Sequence, residues 1–361
     1  MIDELVCPTT TNGSETAARH TAAGPPPALF AGPVDAMLLL AEWMSRQIYW
    51  RSAALRNWVK RRRAGKRPSI QVAEKRALIE HLNEIGVVPG SLVMAHTSVS
   101  GLSFDPQAPA IEGLGNSLQV AKDLVSLLVG LVGDNGTLVM PTHPVYKSRS
   151  KAACGDEPLA VPVYNPESTP CGVGLANELF WRQPGTERSL FPHNSLAARG
   201  PLARELLRDH LGDFKPLPHG DNSGYYRFCQ RNGLLISVGI PLASCFTLVH
   251  AAEEARDENW SVRDFFEDRN YVLRYRGEEK KVTIRKTRTE FMMFSLCIRK
   301  LRRDLVRAGI LHEGSVGSVR VDWAQSGEIF DFISLRNRST TYPYFGTSLV
   351  SRKDSARVKY A

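Results

Sequence analysis

The stretch Thr247-Leu-Val-His250-Ala-Ala-Glu253-Glu254 puts a hydroxyl, an imidazole and two carboxylates close together. It follows an apolar run over residues 234–240, which reads as a strand closed by Pro241. On a helix, residues three and four apart share a face, so Thr247, His250 and Glu253 or Glu254 would line up on one side. A carboxylate bonded to one imidazole nitrogen leaves the other to take a proton from a nucleophile. A nearby hydroxyl can steady a developing oxyanion. The competing reading makes His250 a satisfied helix histidine, with both glutamates facing solvent.

Three polar loops follow runs that read as strands, and strand ends are where α/β folds place ligands. The first is His96-Thr97-Ser98-Val99-Ser100-Gly101. Its small hydroxyls and glycine suit phosphate or pantetheine contacts, and a plain hydroxyl-rich turn is the alternative. The second is Pro141-Thr142-His143-Pro144-Val145-Tyr146. The third runs from Arg188 through Phe191-Pro192-His193-Asn194-Ser195 to Gly200. Its guanidinium and imidazole, beside hydroxyls, suit either an anion or the ordering of a catalytic loop.

Hydrophobic period indicates the elements that must position these loops. Residues 70–84 read as a helix, 90–96 as a buried strand, and 117–132 as a long helix with an apolar face. Thr137-Leu-Val-Met140 reads as a second strand after the Asp134-Asn-Gly136 turn. Helices are expected near 174–182 and 202–211, and a third strand over 234–240. A hairpin with strands at 271–276 and 280–285 turns across Gly277-Glu-Glu279. A helix over 296–308, a loop over 315–321 and a final helix near 322–332 complete the reading. Strands alternating with helices argue a single α/β domain, and the hairpin argues a central mixed β-sheet flanked by helices.

Composition narrows the class. At 361 residues, with 43% hydrophobic and 23% charged, the chain can bury a sizeable core. Six scattered cysteines with no CxxC pair, and no signal peptide, point to a reduced, cytoplasmic setting. No run of about 18 apolar residues is present to span a membrane. The net charge of +9 is local: nine basic residues and no acidic one fall within 46–67, leaving 37 basic against 37 acidic elsewhere. Residues 1–34 read as a disordered tail rich in Thr, Ala, Gly and Pro. Residues 35–68 read as an amphipathic basic helix and linker, 69–340 as the compact domain, and 341–361 as a C-terminal tail. An apolar and aromatic face beside arginines suits the surface of an anionic membrane, and the competing use is a dimer partner.

In order and spacing, several segments together resemble the aminoglycoside 3-N-acetyltransferase family of antibiotic acetyltransferases. They are Val93-Met-Ala-His96-Thr-Ser98, Gly136-Thr-Leu-Val-Met-Pro141-Thr142 and Tyr164-Asn-Pro-Glu-Ser-Thr-Pro170-Cys-Gly-Val-Gly174. Arg188-Ser189 through Pro192 to Ser195, Thr247-x-x-His250-x-x-Glu253 and Gly314-Ser-Val-Gly317 follow. The likeness covers residues from about 70 to about 335. It implies a single α/β domain around a mixed sheet and acetyl-CoA as the cofactor. It implies His250 as general base, Glu253 as its orienting carboxylate and Thr247 as an oxyanion support. His96, Thr97, Ser98, Val99, Ser100 and Gly101 would lie along the cofactor, completed by Arg188 and Ser195 of the third loop. The segment before residue 69 and the loop over 147–159 have no counterpart in that pattern.

The expectation is an acetyl-CoA-dependent acyltransferase acting on an amine or hydroxyl of a small-molecule or glycan acceptor that contains sugar. The balanced charge of the body does not favour acceptors with several ammonium groups. The rival class is a non-catalytic nucleotide- or nucleic-acid-binding protein that grips phosphates with residues 46–67. No nucleic-acid motif accompanies that segment. No second histidine stands at ligand spacing from His250, and His143, His193 and His219 are scattered, so no metal is expected.

Overall fold

The computed structural model describes residues 70–104, 114–146, 161–212, 215–256, 260, 265–288, 295–337 and 342–343, with scattered positions between Met37 and Arg61. The expected tail over 1–34, nearly all of 341–361 and the loop over 147–159 lie outside the described residues.

Strand β1 (Gln71–Val72) and helix α1 (Lys75–Glu84) come first. They are followed by β2 (Leu92–Thr97), β3 (Leu102–Ser103), α2 (Leu114–Val132) and β4 (Thr137–Pro141). Next are β5 (Val163–Tyr164), α3 (Leu175–Trp181), β6 (Glu187–Arg188), β7 (Leu196–Arg199) and α4 (Ala203–Leu207). Helix α5 (Gly224–Gln230) precedes β8 (Leu234–Val238) and two 3-10 turns, Leu242–Ser244 and Thr247–His250. The second turn runs into α6 (Ala251–Glu254), a single α-helical turn. Then come the hairpin β9 (Phe266–Tyr275) and β10 (Glu278–Thr287), α7 (Ser295–Arg307), β11 (His312–Val316), β12 (Val319–Gln325) and α8 (Ser326–Asn337).

Seven strands form one mixed sheet in the order β11-β12-β8-β2-β4-β7-β6. The three inner strands β8, β2 and β4 run parallel, and their neighbours on both sides run antiparallel. The inner strands are continuous apolar runs because both faces are covered. On one face Val93, Ala95, Ile236 and Leu138 pack on Leu82, Leu124, Leu128 and Phe180 of the first three helices. On the other, Met94, Leu235 and Val139 pack on Phe228, Leu248, Leu305 and Ile333. Both 3-10 turns lie on this second face.

The sheet is mixed for a different reason than the sequence suggested. The β9–β10 hairpin pairs with β5 in a separate three-stranded sheet. Antiparallel character in the main sheet comes from β6–β7 and from β11–β12. The last pair falls where the sequence reads as a loop and a helix start: Trp323 and Gln325 face partly outward, so an alternating edge pair passes for polar irregular chain. The hairpin is also longer than expected and turns at Arg276-Gly277, both at positive φ, as a two-residue turn requires. At 70–74 a short strand replaces the expected first helical turn, because Gln71 and Val72 pair with Leu102 and Ser103. The helix expected over 202–211 is only five residues long.

Where β8 ends, Gly239 adopts φ +77 and lies against the turn after β2. A Cβ at that position would sit 2.3 Å from the Ser98 carbonyl oxygen. We expect Gly239→Ala to lower stability by about 2–4 kcal/mol, combining the left-handed penalty with overpacking. Thermal or denaturant unfolding measures this, and an unchanged midpoint would contradict the close approach.

Candidate active site

The parallel strands β2, β4 and β8 deliver three loops to one edge of the sheet, at their carboxyl ends. His96 and Thr97 end β2, Thr142 and His143 follow β4, and the chain after β8 leads into the turn that carries His250. The loop before β7 joins them, since Thr142 N–H donates to the Ser195 carbonyl at 2.7 Å.

Thr247 and His250 lie on a 3-10 turn rather than an α-helix. A 3-10 turn has three residues per revolution, so the two side chains eclipse and share one edge. The α-helical turn that follows brings Glu253 back under the ring, with His250 Nδ1 and Glu253 Oε2 3.0 Å apart. Glu253 is fully buried, whereas His250 keeps 24% of its side chain exposed. Burial opposes a charge on His250, but the Glu253 carboxylate, its hydrogen bond and the charge of Glu254 prevail, raising the pKa. Thr247 makes one long contact, Oγ1 to the Cys245 carbonyl at 3.5 Å.

Glu254 does not face solvent either. It is buried against His219, with the His219 backbone N–H donating to Oε2 at 2.5 Å and Nδ1 lying 2.8 Å from Oε1. The His219 and His250 rings are 5.4 Å apart between centroids, and the Tyr225 ring lies 4.7 Å from His219. Tyr225 Oη is 3.2 Å from His143 Nε2, and Asn194 Nδ2 is 3.3 Å from His219 Nε2. Histidines scattered through the chain thus assemble beside His250. Among the described residues, no three His, Cys, Asp or Glu side chains are disposed to hold a metal ion.

Most of these histidines are neutral. Burial, then the charge of neighbouring His143, pushes His96 down to about 3. Burial, then His193 and His219, does the same to His143, which falls to about 3. His193 falls to about 3 through burial, then Lys286, His219 and Arg269. His219 is lowered well below its ordinary range, by burial first and His250 second. Of these five, only His250, beside two carboxylates, moves upward.

The expected cofactor loop is divided by the structure. His96, Thr97 and Val99 are buried. His96 Nε2 has no hydrogen-bond partner, and the Thr97 hydroxyl is given to Asn177 Oδ1 at 3.2 Å. Asn177 also donates to the Pro141 carbonyl at 2.8 Å, tying the ends of β2 and β4. Ser98 and Gly101 are half-buried and Ser100 is exposed, with Gly101 at φ +78. This outer turn fits a ligand that needs hydroxyls and close backbone approach.

Arg188 and Ser195 are engaged within the protein. Arg188 donates to the Thr142 carbonyl at 2.8 Å, the Thr169 carbonyl at 2.6 Å and Thr142 Oγ1 at 3.2 Å. Its guanidinium also lies 4.5 Å over the Trp181 ring. Ser195 is buried and donates to the Thr142 carbonyl at 2.7 Å. Both are staples that fix the loops, because a planar guanidinium satisfies several carbonyls at once. The sequence reading missed Tyr225 and Asn177, named Asn194 only as part of the third loop, and named His219 only as a scattered histidine. Only proximity in space marks them, apart from the polar, Pro-flanked setting of His219.

The family model described as aminoglycoside 3-N-acetyltransferase matches residues 109–336. Aminoglycoside N(3)-acetyltransferase IX of Micromonospora chalcea is 27% identical over 274 residues, covering 71% of this chain and 91% of the relative. Aminoglycoside N(3)-acetyltransferase IV of Salmonella sp. is 32% identical over 183 residues, covering 50% of this chain and 58% of the relative. Among solved structures, aminoglycoside acetyltransferase AAC(3)-Xa shares the fold at TM-score 0.58 and 22% identity, covering 75% of this chain and 94% of its own. AAC-IIIb, solved as a binary complex with CoASH, gives TM-score 0.57 at 20% identity, over 73% of this chain and 96% of its own.

The neutral histidines have a consequence for stability. With folded values of about 3 against an ordinary 6.5, His96, His143 and His193 bind fewer protons folded than unfolded. Their contribution is complete above the unfolded value and is lost as pH falls from 6.5 toward 3. His250 acts in the opposite sense: its contribution is complete below the unfolded value and lost as pH rises through the folded one. Three groups outweigh one, so the unfolding midpoint is expected to drop steadily from about pH 6.5 to 5, above the usual carboxylate range. Thermal unfolding at several pH values checks this, and His193→Asn should flatten the slope.

Proposed function

The chain belongs to the aminoglycoside 3-N-acetyltransferase family, and we propose that it moves an acetyl group from acetyl-CoA to an amine of a sugar-containing acceptor, with His250 as general base. The observation that carries this reading is the His250–Glu253 pair, 3.0 Å apart, with the carboxylate buried and the imidazole reaching the surface. Acetyl-CoA supplies the activated acyl carbon, with its thiolate as the leaving group. The outer turn of Ser98, Ser100 and Gly101 is the part of the expected cofactor loop suited to hold it.

The chain's own residues handle the proton. An acceptor amine must be neutral to attack, and as its nitrogen forms the new bond it sheds a proton. His250 takes that proton, while Glu253 keeps the ring oriented and offsets the charge it gains. Thr247, on the same edge of the turn, can donate its hydroxyl to the oxygen on which negative charge develops. A hydroxyl acceptor would use the same base.

The acceptor class follows from charge as well as from family. The relatives are named for aminoglycosides, which supports an amino sugar. Lys286, itself paired with Glu267, and Arg269 lie close enough to His193 to disfavour a positive charge there. We therefore expect acceptors with one or two ammonium groups to show higher kcat/KM than aminoglycosides with four or five. A panel of amino sugars and aminoglycosides, read by CoA release, decides it. A reversed ranking would restore polycationic acceptors as the preferred class.

His250→Ala should retain CoA affinity and lose roughly 10²–10⁴-fold in turnover, with a smaller loss for Glu253→Gln. Near-normal turnover in His250→Ala would sink the proposed base.

The segment before the domain supports peripheral contact with an anionic membrane through residues 35–67. Met37, Leu40, Met44 and Ile48, at helical spacing in helical backbone, are each more than half exposed. Nine basic residues over 46–67 supply the complementary charge. The full chain should sediment with anionic but not neutral vesicles, less so at high salt, and the chain lacking residues 1–68 should not. If truncation instead turned dimers into monomers without changing vesicle binding, the segment would be a homodimer contact.

A further inference from the structure

Two consecutive glutamates, both shut off from solvent, stand behind His250. A buried carboxylate needs partners, and one beside another needs them more. Glu253 has His250. Glu254 has His219, which grips it twice, through its backbone N–H at 2.5 Å and its ring Nδ1 at 2.8 Å. That grip fixes the His219 tautomer, because a carboxylate accepts the Nδ1 proton and leaves Nε2 as an acceptor. Asn194 completes the arrangement, with its amide nitrogen 3.3 Å from Nε2. Asn194 itself sits at φ +50, a conformation that a side-chain amide tolerates better than most residues do. His219 therefore uses both nitrogens as a neutral ring and has none to offer as a base. Its ring nonetheless lies 5.4 Å from that of His250.

We propose that Glu254, clamped by His219, is a positioning residue for acetyl transfer: a second fixed carboxylate that holds the charge His250 gains with the acceptor's proton. His219 acts through that clamp, with its ring set beside that of His250. The inference rests on the reading of His250 as the base.

The groups around His250 favour this assignment. From its own turn come Glu253 and Glu254, both of which favour the charged imidazole. From the segment before α5 comes His219, and behind it stand Tyr225 of α5 and His143 after β4. From α8, Asn337 donates its amide to the Ala252 carbonyl at 3.2 Å, and the Arg336 guanidinium stacks on Phe332 at 3.4 Å. Arg256, just after α6, donates to the Asn337 carbonyl. Among the described residues, the two adjacent glutamates are the anions that favour a charged His250, and Glu253 is hydrogen-bonded to its ring.

The test compares wild type with Glu254→Gln, Glu254→Asp and His219→Gln. Two readouts are taken: the pH profile of kcat/KM, and the titration of His250 followed by NMR on isotopically labelled histidine. In Glu254→Gln, loss of one anion should lower the His250 pKa, moving its NMR titration and the acidic limb down by about one pH unit. Turnover should fall about tenfold at neutral pH with KM for acetyl-CoA little changed. Glu254→Asp should restore much of the titration, and His219→Gln should fall between. A His250 titration unmoved in both Glu254→Gln and His219→Gln overturns the proposal, even if stability drops. Failure of the base reading is separately visible: His250→Ala would keep its activity, while the NMR shift in Glu254→Gln would report the coupling regardless.

Discussion

The site depends on the burial of two carboxylates side by side on one short turn. Carboxylates removed from water are costly unless each is matched by a donor, and the match here is made by two different histidines. Glu253 takes His250 from its own turn, and Glu254 takes His219 from a segment 35 residues upstream. The first pairing is local and could form on any helix-like turn. The second requires the segment before α5 to be delivered to the same spot, so it couples the His250 turn to the second face of the sheet.

That delivery is the work of the sheet and its staples. Parallel β2, β4 and β8 end together, which brings His96, His143 and the approach to His250 to one edge. Asn177 ties the first two strand ends, and Gly239 lets the turn after β2 lie against the end of β8. Arg188 and Ser195 pin the loop before β7 to Thr142, which holds Asn194 where it meets His219. The separate hairpin sheet packs Tyr271, Leu273 and Ile284 on Tyr164 and Phe191, so it backs the same loop from outside. His210 stacks on Phe191 at 3.9 Å and reinforces that contact.

Electrostatics then divides the labour among chemically identical side chains. His96, His143, His193 and His219 are driven neutral by desolvation, which disfavours the charged form. His250 is the exception because it has a carboxylate in direct contact and a second one next to it. The surroundings of His250 thus favour its charged form, while those of its neighbours favour the neutral one.

The sequence by itself determined the α/β class, the three inner strands, the hairpin and the pairing of His250 with one of the two glutamates that follow it. These are local matters: apolar runs bounded by Gly and Pro mark buried strands, and i,i+3 spacing on a tight turn brings two side chains together whatever surrounds them. Family resemblance rested on the same kind of information, the order of short motifs. What only the tertiary structure decided is every relation between distant segments. The pattern of β11 and β12 is that of an edge pair, too polar to distinguish from a loop. Arg188 carries a charge that suggests a ligand, and two carbonyls, a hydroxyl and an indole meet it once the loops close. Glu254 reads as the solvent-facing neighbour of Glu253 until His219 arrives from elsewhere in the chain. A residue's type limits which bonds it can make, but long-range packing chooses the partner, and at this site the partner sets both charge and role.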